Sequence, residues 1–99
     1  MNKFNAKSAI VVATAEEVLK TLGPYFEITI RTYLESKYGK GIEYVGEDPR
    51  RFYEAIRDLF GEFAAKMFIY NLVRELGIPV RSRETEQLLK GLEEYLGGE

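Results

Sequence analysis

Residues 62–76 set the terms for the rest of the chain. At about 100° per residue, Ala65, Phe68, Ile69, Leu72 and Leu76 make one apolar side of a helix, and Phe63, Met67 and Tyr70 make a second, roughly opposite. A helix that is apolar on both sides is stable only when other structure surrounds it. The other segments must therefore be read as a coat for this one.

The remaining apolar residues recur with the same period. In 9–22, Val11, Val12, Ala15, Val18, Leu19 and Leu22 share a side, with Glu16, Glu17 and Lys20 opposite. Ser8 is a candidate N-cap. Two competing signals exist: Ile10-Val11-Val12 is β-branched and favours a strand, and Thr14-Ala15-Glu16-Glu17 is a capping box that would start the helix later. Gly23-Pro24 ends this segment and opens the next, in which Phe26, Ile30, Tyr33 and Leu34 form the stripe. Glu27–Arg31 and Arg31–Glu35 have the spacing of helical ion pairs. Gly39 ends that helix. The connection 39–47 carries Ile42 and Val45 as residues to tuck against the core.

Asp48 and Pro49 read as the N-cap and first residue of a further helix, with Phe52, Ala55, Ile56, Leu59 and Phe60 inward and Gly61 as its end. After Gly77-Ile78-Pro79, Ser82 is the candidate cap of a last helix with Leu88, Leu89, Leu92, Tyr95 and Leu96 on its stripe. Glu86–Lys90 and Lys90–Glu94 are placed to brace its outer side, and Gly97-Gly98-Glu99 is expected to fray. The fold class is all-α. The sequence predicts one domain, 1–99, built as a compact bundle of about five helices around 62–76.

Composition narrows the chemistry. The chain has no histidine and no cysteine. It can form no thiolate nucleophile, disulfide, Cys/His zinc site or Ser-His-Asp triad. No constellation of the remaining carboxylates, lysines, tyrosines and arginines has the spacing of a catalytic site, so the reading is a non-enzyme without cofactor or metal. The lack of a disulfide framework fits the cytoplasm. Few thermolabile residues occur (Gln87; Asn2, Asn5 and Asn71) and charge is plentiful, which fits a thermophile. The apolar run 9–13 is far too short for a membrane span, and no export signal is evident.

Each candidate site has a plain alternative. Gly39-Lys40-Gly41 lacks the spacing, the Lys-Ser/Thr end and the preceding strand of a phosphate loop, and reads as a cap and turn. Glu16-Glu17, Glu47-Asp48 and Glu93-Glu94 point apart on a helix and read as solvated surface. Arg50, Arg51, Arg57, Arg81 and Arg83 could grip nucleic acid or an acidic partner if they converged. The net charge of −2 argues against a general nucleic-acid binder. Phe63, Met67 and Tyr70 need a cover: a second copy of the chain across a two-fold axis is the expected one, and the last helix folding back over this side of a monomer is the rival.

The middle of the chain resembles a known family. Leu22-Gly23, Tyr33-Leu34-Glu35-Ser36-Lys37-Tyr38-Gly39, Glu47-Asp48-Pro49 with Phe52 and Ala55, and Leu59-Phe60-Gly61 with Ala64-Ala65 carry the resemblance. They are similar to the Nitrosopumilus output domain, a small archaeal helical domain found alone or attached to sensory and signalling proteins. The resemblance covers about residues 15–77 and leaves the helix after Ser82 outside the pattern. It implies an archaeal source and a signalling-output or protein-interaction role, with no catalytic residues to carry over. A nucleic-acid-binding regulator that uses the arginine-bearing helix faces is the alternative.

Overall fold

The expected central helix is α5 of the computed structural model, which describes residues 6–97. The order is α1 (Ala6–Thr21), α2 (Pro24–Tyr38), α3 (Tyr44–Glu47), α4 (Pro49–Phe60), α5 (Glu62–Glu75) and α6 (Thr85–Gly97). No strand occurs among the described residues. α5 packs against α4, α1 and α6, while α2 lies on α1 and α4. Residues 98 and 99 of the expected fraying end lie outside the described residues.

The core is a single cluster built mostly from the predicted stripes, with Val73 added and with Phe60, expected inward, 36% exposed. Val11, Ala15, Val18 and Leu19 of α1, Ile30 and Leu34 of α2, and Leu88, Leu89 and Leu92 of α6 are buried around Ala65, Phe68, Ile69, Leu72 and Val73 of α5. Phe52 of α4 meets Phe68 with ring centroids 5.6 Å apart. No buried side-chain nitrogen or oxygen among the described residues lacks a partner.

Local chemistry places the boundaries. Asp48 accepts a hydrogen bond from the backbone N–H of Arg51 (3.1 Å), and Pro49 follows it as the first helical residue. Gly39 ends α2 in the left-handed region (φ 66°), where its N–H donates to the carbonyl of Glu35. Gly61 joins α4 to α5 at φ 97°, a conformation that side-chain-bearing residues rarely adopt.

Several expectations need correction. The connection 39–47 contains a sixth helix, α3: the turn at 42–43, in which the N–H of Val45 donates to the carbonyl of Ile42, leads into it, and both side chains are buried. Ser8 is no N-cap. It is buried within α1, which already runs from Ala6. Thr14 does not start the helix either, since its hydroxyl donates to the carbonyl of Ile10 one turn back. The β-branched run 10–12 is helical: Val11 continues the buried face of Ala15, Val18 and Leu19, while Ile10 is 49% exposed. Ser82 caps a turn: it accepts from the N–H of Glu84, and α6 begins three residues later. Leu22 is 43% exposed, beyond the end of α1. Tyr53, absent from the predicted core, is buried, with its hydroxyl 3.5 Å from that of Thr85.

Candidate functional site

Phe26 and Phe60 stack with centroids 4.0 Å apart and planes 15° from parallel. One ring lies two residues after Pro24 and the other directly before Gly61. The α1–α2 turn and the α4–α5 turn therefore share one end of the bundle. Leu22, Tyr25 and Phe63 lie within four residues of a stacked ring along the chain, and they are 43%, 88% and 78% exposed. Met67, one turn beyond Phe63 on α5, is 42% exposed. The result is an apolar end face flanked by charged residues such as Lys20, Glu62 and Lys66.

Tyr70, expected on the same side, sits in different surroundings. It is half-buried, and the guanidinium groups of Arg74 and Arg83 lie 5.7 and 5.3 Å from its ring centre. The segment between α5 and α6 folds back over the Tyr70 end of the stripe. Phe63 and Met67 keep their exposure.

The five candidate arginines do not gather on one surface, although Arg50 and Arg57 border the same cleft. Arg50 of α4 is held by two glutamates of α6, with nitrogen–oxygen distances of 2.7 and 2.9 Å to Glu86 and 2.7 and 3.1 Å to Glu93. These bonds hold the Glu86 carboxyl below its ordinary range and raise the Arg50 guanidinium further above its own. Arg51 pairs with Asp48 at 3.6 Å. Arg57 lines a cleft with Tyr53, Glu62 and Thr85. Arg81 lines a different cleft, against α6, and Arg83 lies over Tyr70.

Glu16, Glu47, Asp48 and Glu93 of the acidic pairs, and the glycine turn, have structural partners. Glu16 joins α1 to α2 through Arg31 (3.3 Å), which also takes Glu27 at 3.0 Å. The expected Glu27–Arg31 pair is therefore present, and Glu16 takes the place expected for Glu35. Lys40 bonds Glu47 at 3.0 Å across the 39–47 connection. The N–H of Gly41 donates to the Glu43 carboxylate, which lowers that group's pKa. Among the described residues no cluster of acidic side chains could hold a metal ion, and no helix is long and apolar enough to cross a membrane.

The sequence also concealed a cleft. α6 and the segment after α5 border an open cleft of about 470 Å³, with Arg81, Ser82, Gln87, Lys90 and Gly91 on its wall. Only a glycine in the middle of a helical stripe pointed to it.

No curated protein matches the sequence. A crystal structure of PH0832 from Pyrococcus horikoshii OT3 is similar in fold, with a TM-score of 0.71 and 27% identity over 94% of this chain and 99% of that one. The pattern described as Nitrosopumilus output domain 5 matches residues 5–97, which includes α6, the helix expected to fall outside it. The chain belongs to the Nitrosopumilus output domain 5 family.

Proposed function

We propose that this protein is a non-enzymatic interaction module that self-associates through its apolar end face. The observation that carries the reading is the exposure of Tyr25, Phe63, Leu22 and Met67 at one end of the bundle. Aromatic side chains bury about 150–250 Å² each. The face therefore offers on the order of 500 Å², at the upper end of the largest apolar patches on monomers. Two copies meeting there would remove about 1,000 Å² from water, the lower bound of a stable specific interface. A two-fold arrangement lets one patch cover itself, and tyrosine, phenylalanine and methionine are the residues enriched at such contacts.

The nucleic-acid reading has less support. Arg50 and Arg51 pair with acids of their own chain, Arg57 borders the Arg50 cleft beside Glu54 and Glu62, and Arg81 and Arg83 lie in other surroundings.

Sedimentation equilibrium on wild type, Phe63→Glu and Met67→Glu tests the proposal. The expected result is a wild-type dimer and monomeric variants with unchanged helical circular dichroism. A wild type that stays monomeric at high micromolar concentration overturns it, as does a dimer that both variants leave intact.

A further inference from the structure

We infer that the cleft between residues 78–82 and α6 binds a small organic anion, a phosphate monoester or a carboxylate with an apolar body. Its volume of about 470 Å³ lies within the range of small-molecule sites. Most of its exposed lining is polar, and half-buried Ile78 and Val80 add an apolar strip over the buried Val73 and Leu88. Arg81, Lys90, Ser82 and Gln87 supply donors above it.

Gly91 makes the argument specific. It sits in the middle of α6, where glycine destabilises a helix relative to alanine. Its backbone does not need glycine, since it is not among the residues with positive φ. Packing does not need glycine either. A Cβ at Gly91 would meet only the Ile78 Cγ2 at 3.5 Å, an ordinary contact. Gly46 shows the contrasting case, where a Cβ would press on the Ser8 carbonyl and Val12 at 3.3 Å. The missing side chain at Gly91 instead leaves the cleft wall bare, so that a ligand can approach the helix backbone closely.

Charge selects the ligand class. Arg81 and Lys90 are exposed and make no ion pair or hydrogen bond among the described residues, whereas Arg31 and Arg50 each hold two carboxylates. Lys90 feels Glu86 only at a distance. Glu94 also lines the cleft and leaves it with one net positive charge. That balance suits a single anionic group, with Glu94 accepting from a hydroxyl or ammonium group elsewhere on the ligand.

The test is an NMR titration of the full chain with phenyl phosphate, phenylacetate and inorganic phosphate. Phenyl phosphate or phenylacetate should shift the Ser82 and Gly91 amides at concentrations up to about 10 mM, and inorganic phosphate should act more weakly for want of an apolar body. The tighter of the two organic probes assigns phosphate ester or carboxylate. Arg81→Gln should weaken binding about tenfold. Gly91→Ala should abolish binding while raising the melting temperature, a pairing that a purely structural glycine would not give. If neither organic probe moves those amides, or if Gly91→Ala binds as wild type does, the inference is wrong.

Discussion

Phe26 of α2 lies flat on Phe60 of α4, with ring centroids 4.0 Å apart. This contact joins two helices far apart in sequence and gathers both tight turns at one end. It also leaves Phe60 36% exposed, so the stack forms part of the surface as well as supporting it. A double-mutant cycle with Phe26→Leu and Phe60→Leu should give a coupling of about 0.5–1.5 kcal/mol, the range for aromatic pairs beyond their buried area. Additive effects in urea denaturation would show that the two rings contribute only area.

Phe68 is 1% exposed and packs on Phe52 at the centre of the cluster. Phe68→Ala should cost about 3–5 kcal/mol in urea denaturation, the range for deleting a buried large aromatic. A loss below about 1 kcal/mol would mean that the site collapses around the cavity or is solvated.

What was legible in the sequence was local. Asp48, Pro49, Gly39 and Gly61 act on backbone groups within four residues, so their roles follow from residue type and position. Most of the stripes of α1, α4, α5 and α6 follow from period alone, but Tyr53 and Val73 are buried outside them and Phe60, counted inward, is 36% exposed. Contacts decided elsewhere in the chain were not legible. Tyr53 is buried where Thr85, 32 residues later, brings its hydroxyl to 3.5 Å from the tyrosine's. Glu86 faces Lys90 at helical spacing, yet it bonds Arg50, 36 residues away, because a two-pronged guanidinium pair is stronger than an exposed ammonium pair. The end face was half legible. The exposure of Phe63 and Met67 follows from their side of α5, but the cover over Tyr70 depends on where the segment after α5 returns.

Gly46 lies where α3 presses on α1. A Cβ there would come within 3.3 Å of both the Ser8 carbonyl oxygen and the Val12 Cγ2. The carbonyl belongs to a helix backbone and cannot swing aside as a side-chain end can. Gly46→Ala should therefore destabilise the fold by about 1–3 kcal/mol despite alanine's better helix propensity. Unchanged or improved thermal stability would show that α3 can shift away from α1 without loss.

Arg50 ties α4 to α6 through Glu86 and Glu93, which lie seven residues apart on α6, two helical turns along one face. The guanidinium bonds to both oxygens of each carboxylate, so protonating either glutamate weakens the link. Glu86 has a lowered pKa in the folded chain, chiefly from its hydrogen bonds to Arg50. A depressed carboxylate stabilises the fold fully above its unfolded value, ordinarily 4.5, and loses that contribution as pH falls through the lower folded value. Arg50→Gln removes the cause of the shift. The stability difference between wild type and Arg50→Gln should therefore be largest near neutral pH and shrink steadily below 4.5. It should also shrink with added salt, because all three side chains are at least a third exposed. Urea denaturation of both proteins between neutral and acid pH, at low and high salt, measures this directly. A difference that stays constant across that pH range would mean that Arg50 supports α6 through the packing of its stem, not through its charge.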